Sequence, residues 1–253
     1  IMTGFDDGEE ETVINLTVKK GMKQGWFGNA FAGYGSEKRY EGNAMVNRFI
    51  NNDQFTFMGG LNNTNNMGFS DLASTMFSGM GGGGRGGFGR FGSGNGITTS
   101  GNAGLNFSKE FTPKMTIGGN TRYSHSDNDA QSKSETQNIF SNDSSSYYSE
   151  TNISRTKSDN IGANFRMEWK PDTLTSIIFT PDLGYSRTSS SEIGNFETLD
   201  GNSEKVNGGK SEYNSNGEGI NFSGRLEYSR KLNNEGRVFS ASLSGGYDDT
   251  YNE

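Results

Sequence analysis

The stretch NIGANFRMEWKPD at residues 160–172 places Ile161, Ala163, Phe165, Met167 and Trp169 on one parity. Gly162, Asn164, Arg166, Glu168 and Lys170 fall on the other. A period of two is the strand signature, because successive side chains leave opposite faces of a sheet. The pattern recurs through Ala103, Leu105, Phe107; Met115, Ile117, Gly119, Thr121, Tyr123; Ile220, Phe222, Gly224, Leu226, Tyr228; and Phe239, Ala241, Leu243, Gly245, Tyr247. Nine strands are expected, near 25–34, 40–49, 54–62, 97–108, 115–125, 159–170, 174–187, 218–230 and 237–247. Pro181 interrupts the seventh, where its missing N–H predicts a bulge or an unpaired position.

A two-faced strand suits either a soluble sandwich or a sheet with lipid on one side, and composition separates them. Leu, Ile, Val and Phe together make 45 of the 253 residues, under the roughly 20% that marks chains without a core. Disorder does not follow, because the net charge is only −7 and the chain carries 18 Phe, 10 Tyr and 2 Trp. Core is lacking, while order is not. A barrel with a wet interior needs no large dry core, so the alternation is read as lipid against Ile161–Trp169 and water against Arg166 and Glu168.

The chain has no cysteine, which excludes disulfides and thiolate metal sites. No stretch approaches the roughly 20 apolar residues of a membrane helix. The start, IMTGFDDGEE, lacks the basic head and apolar run of a signal peptide. A mildly acidic balance gives no argument for nucleic acid.

The expected connections alternate along most of the chain. INNDQ, EFTPK, the Pro171–Asp172 turn and KLNNEG are short, whereas 63–96, 126–158 and 188–217 read as long Ser-, Asn- and Gly-rich loops; the brief GSEKR at 35–39 is the exception. In a meander this puts short turns at one end and long loops at the other, the asymmetry of outer-membrane barrels. Aromatic residues support it: Trp26, Phe55, Trp169, Tyr228 and Phe239 mark the short-turn end, and Tyr34, Tyr40, Tyr123, Tyr185 and Tyr247 the other. Eight residues separate Trp26 from Tyr34, about 27 Å along a strand and about 20 Å after tilting. Two aromatic belts are expected where amphipathic rings meet headgroups.

Candidate sites are few. Residues 79–96, GMGGGGRGGFGRFGSGNG, have the composition of a segment that stacks on single-stranded nucleic acid, but their place between two strands favours a surface loop. His125, with Asp127 and Asp129, could hold a divalent ion, yet the twelve-residue calcium loop is incomplete and a solvated polar loop is the expectation. The DDGEEE run at 6–11 lacks metal-site spacing and reads as a hydrated turn. With no cysteine, one histidine and no serine elbow, there is no equipment for nucleophilic catalysis; no enzyme activity, cofactor, metal or nucleic-acid partner is expected, and no ligand-binding residue is assigned.

ETVINLTVKKG at 11–21 followed by GWFGNAFAGYG at 25–35 resembles the junction between the plug and the first barrel strand of TonB-dependent outer-membrane receptors. YEGNAMVNRF at 40–49, FTFMGGLNNTNNMGFSD at 55–71, GNGITTSGNAGLNFSKEF at 94–111 and YSHSD at 123–127 are similar to the related outer-membrane β-barrel family. The resemblance implies an all-β antiparallel meander forming part of a transmembrane β-barrel, with residues 1–20 the end of a plug and 21–253 the N-terminal barrel portion. It implies an outer-membrane location in a Gram-negative bacterium, contact with outer-membrane lipid, and contact with TonB through an upstream region. The implied function is TonB-energised uptake of an unidentified small-molecule, glycan or peptide nutrient. Such receptors close about 22 strands around the plug, so nine strands imply a piece of a longer polypeptide. A non-transporting adhesive or structural barrel and a soluble secreted β-sandwich that binds carbohydrate are the alternatives; an outer-membrane hydrolase ranks behind both.

Overall fold

A computed structural model describes residues 24–65, 96–140, 144–233 and 236–253. They form one antiparallel sheet in sequence order: β1 (Gln24–Tyr34), β2 (Tyr40–Ile50), β3 (Asp53–Asn62), β4 (Ile97–Thr112), β5 (Met115–Ile139), β6 (Ser145–Trp169), β7 (Thr175–Leu199), β8 (Lys205–Lys231) and β9 (Val238–Asn252). The all-β meander expected from the alternation is the fold observed. The only helical element among the described residues is the single turn Ser36–Lys38, and no helix there is long and apolar enough to cross a membrane. Residues 1–20, expected as the end of a plug, the run at 6–11 and nearly all of 79–96 lie outside the described residues.

Register puts the expected apolar positions on one face. Met115, Trp169, Ile177, Tyr228 and Ala241 form one row across β5–β9, and Ile117, Met167, Phe179, Leu226 and Leu243 form the next. Thr121, Ala163, Leu183, Phe222 and Tyr247 follow, then Tyr123, Ile161, Tyr185 and Ile220. At the middle, Phe165 meets Phe107 with ring centroids 6.3 Å apart, and Phe107 meets Phe55 at 6.4 Å. Gly119 lies between Phe107 and Phe165 in that row, and a Cβ there would come within 2.5 Å of the Phe165 ring and 2.6 Å of the Asn164 carbonyl. Pro181 has the predicted effect: β6 and β7 pair up to Asn164–Asp182 and again from Met167–Phe179, with the two positions between unpaired.

Burial runs opposite to that of a soluble sheet. The apolar face is the exposed one, with Leu105 54%, Ile161 51% and Leu243 72% accessible, whereas the opposite face holds the buried residues Asn47, Thr56, Asn106, Asn120, Ser124 and Ser126. The polar face is thus the covered one, and it also carries the groove described below.

The upper connections differ from expectation. Residues 126–158 and 188–217 are not long coils: β5 continues to Ile139 and β6 begins at Ser145, while β7 continues to Leu199 and β8 begins at Lys205. Beyond Tyr123, β5 runs 16 more residues, about 50 Å along the strand. Backbone pairing satisfies the donors and acceptors of a Ser/Asn-rich chain as well as solvent does, and paired hairpins hold these segments in strand form as far as Ile139 and Leu199.

Candidate functional site

The inner face offers a concave groove of about 990 Å³ at the level of the apolar rows. Asn120, Asn164, Asp182 and Ser223 form its central row, each contributed by a different strand at the position next to an outward apolar residue. Arg166, Glu168, Arg225 and Glu227 line the lower part, so the groove carries both signs of charge. The Asn120 amide donates to Asn164 Oδ1 at 2.6 Å, and Thr56 Oγ1 donates to Asn47 Oδ1 at 2.5 Å. Asn47 Nδ2 and Asn120 Oδ1 have no protein partner despite their burial. Toward β1 the inner face turns apolar: Phe27 stacks on Phe49 at 5.7 Å, beside the buried Met45 and Met58.

Above the Tyr123–Ile161–Tyr185–Ile220 row, the same outward parity changes from apolar to charged. His125, Asp159, Arg187 and Glu218 form the first row beyond it, with His125 Nδ1 2.8 Å from Asp159 and Arg187 3.3 Å from Glu218. His125 therefore sits in a strand and pairs across it, not with Asp127 and Asp129. Those two carboxylates belong to Arg155, which donates to Asp127 at 2.6 and 2.8 Å and lies 3.4 Å from Asp129. The hydrogen bonds from Arg155, helped by its charge and that of Lys157, hold the Asp127 carboxyl below its ordinary range. Among the described residues no group of three or more His, Asp or Glu is placed to hold a metal ion.

The inward parity of the same extended strands has a different chemistry. Ser, Thr and Asn dominate it, and among the described residues of β5 124–138, β6 146–160, β7 186–198 and β8 207–219 it carries no lysine or arginine. Its aromatic residues are Tyr148, Phe196 and Tyr213. Tyr148 and Phe196 stack with centroids 6.3 Å apart. Sequence reasoning missed this surface because a strand polar on both faces shows no hydrophobic alternation; the signal available was charge, since Asp127, Asp129, Lys133 and Glu135 all fall on odd positions.

A search against family models and a search of curated proteins match nothing. Among solved structures, the siderophore receptor PiuA from Acinetobacter baumannii is similar over 92% of this chain, with TM-score 0.32 and 9% identity. The match covers 43% of that chain, so the present chain spans less than half of its length.

Proposed function

We propose that this chain is part of the wall of an outer-membrane β-barrel that takes up a nutrient, with TonB supplying the energy. The observation that carries the barrel reading is the inversion of burial: the aliphatic and aromatic rows of β3–β9 are the exposed ones, while asparagine, serine and threonine are buried on the opposite face. In water, that arrangement forfeits the free energy of burying apolar side chains, about 1.5–3 kcal/mol for each large one. With acyl chains against the outer rows it is the stable choice, since a membrane barrel alternates apolar-out with polar-in. The outward band from Trp169 to Ile161 spans about 27 Å of strand, or about 20 Å upright when tilted, close to the apolar belt of such barrels. Near the β2–β3 turn, the Arg48 guanidinium lies 4.9 Å from the Trp26 ring on the outward face, a cation laid over an aromatic face.

Uptake and TonB coupling are supported by the resemblance of 11–21 and 25–35 to a plug-to-barrel junction, and by a polar groove on the inner face. Spin labels placed one at a time at 161, 163, 165 and 167, and then at 162, 164, 166 and 168, in the full-length protein in bilayers test the wall assignment. The odd set is expected to collide with lipid-soluble oxygen and the even set with a water-soluble nickel chelate. Equal water exposure of both sets, or an odd set shielded from both probes, would end the barrel reading. Energised uptake is tested separately, by comparing whole-cell accumulation of nutrients in strains with and without TonB.

A further inference from the structure

We propose that the inner face of the extended β5–β8 hairpins binds a neutral glycan, with Tyr148 and Phe196 as the stacking platform and Glu150 as the hydrogen-bonding anchor. The inference deepens the uptake reading above and rests on it, since it makes this face the wall of the entrance.

The platform is built in three parts. Phe196 lies opposite Glu150 on β6 and Gly209 on β8. A Cβ at Gly209 would come within 2.8 Å of the Phe196 ring, so the ring leans over the β8 backbone in space that only a glycine leaves open. Tyr148 adjoins the Phe196 ring as its stacked neighbour, so the two form one aromatic patch on the inner face. Beside the rings, the two oxygens of Glu150 are held by different groups: Tyr148 Oη donates to Oε2 at 3.1 Å and the Asn152 amide to Oε1 at 3.1 Å. The carboxylate is thereby oriented, with acceptor capacity left on each oxygen.

Charge selects the ligand class. The face has carboxylates at Glu150 and Glu192, no lysine or arginine among its described residues, and is otherwise mainly hydroxyl, amide and glycine. On these described residues an anionic chelate or a phosphorylated or uronic ligand would meet only like charge. A neutral sugar presents apolar C–H faces to aromatic rings and hydroxyls to fixed acceptors. The cations of these strands sit on the opposite, outward face, where Arg155, Arg187 and Lys210 are paired with carboxylates.

The test is calorimetric titration of the full-length protein in detergent with maltoheptaose, cellohexaose and xylohexaose as neutral probes and an alginate hexamer as the anionic one. At least one neutral probe is expected to bind and the alginate not to. Tyr148→Ala and Phe196→Ala are each expected to weaken that binding at least about tenfold, equivalent to about 1.4 kcal/mol, and Phe196→Tyr to retain it. Gly209→Val, which lifts the ring without removing it, is expected to weaken binding similarly. All variants are checked for folding by heat-modifiable gel mobility, since the rings are solvent-facing and their loss leaves the hairpin backbone pairing in place. No binding of any neutral probe, preference for alginate, or binding unchanged in both alanine variants would overturn the inference. The spin-label experiment separates the two readings: lipid contact at the odd positions without glycan binding removes only the glycan assignment.

Discussion

Phe165→Arg probes the proposed lipid face at its deepest point. Phe165 is two rows from Trp169 and two from Ile161, about 13 Å along the strand from either rim. An arginine on the lipid face near the midplane costs roughly 2–4 kcal/mol, and loss of the Phe107 contact adds about 0.5–1.5 kcal/mol. A destabilisation of about 3–5 kcal/mol is therefore expected. The neighbouring Asn164→Arg looks like a natural control but is a poor one. Its Oδ1 accepts from Asn120, which is only 4% exposed, so the change strands a buried amide at a cost of about 1–3 kcal/mol. Ser223→Arg is cleaner: Ser223 is exposed in the same inner row, across from Asp182 and beside Gly246, which leaves room for the longer chain. It should change stability by less than about 1 kcal/mol, because the charge stays in water and faces an opposite one. Both are measured by urea unfolding of the full-length protein in phospholipid vesicles. A Phe165→Arg cost no larger than that of Ser223→Arg would refute the assignment of faces.

Gly119→Ala should destabilise the sheet clearly, since the new Cβ meets both the Phe165 ring and the Asn164 backbone, and vesicle unfolding would reveal it; an unchanged midpoint would mean the rings do not meet there. At the β6–β7 turn, Asp172 accepts from the Leu174 and Thr175 amides and the Thr175 hydroxyl, and these bonds, that from Leu174 foremost, hold its carboxyl below the usual range. Its contribution is present above the unfolded carboxylate pKa near 4 and is lost as pH falls through the lower folded value; Asp172→Asn should flatten that part of a pH–stability profile. A protease site inserted in the 200–204 turn should be cut on intact cells, while one inserted beside Asp172 should be spared, and the reverse result would invert the orientation. Arg155→Ala should shift stability little in high salt, because the ion pairs with Asp127 and Asp129 lie on an exposed face where salt screens them.

What was legible in the sequence follows from where chemistry contrasts across a strand. Between Trp169 and Ile161 one face meets an apolar environment and the other a polar one, so alternation is forced into the residues and the register of β5–β9 could be read from parity alone. Above Ile161 both faces meet polar surroundings, the hydrophobic contrast vanishes, and Ser- and Asn-rich strand looks the same as loop. The β structure of 126–139 and 145–158 was hidden for that reason and not because its propensity is strong or weak. A second contrast nevertheless survives there. Arg155, Lys157 and Asp159 occupy odd positions while Thr156 and Ser158 occupy even ones, since outward charges find cross-strand partners and the described inner face above Ile161 carries no lysine or arginine. The aromatic residues break this rule in an informative direction. Tyr148, Phe196 and Tyr213 stand on the side without lysine or arginine, where no apolar neighbour layer exists among the described residues to account for them. Rings placed on the wet side of a hairpin gain little from burial, so their position is better explained by something that arrives to cover them.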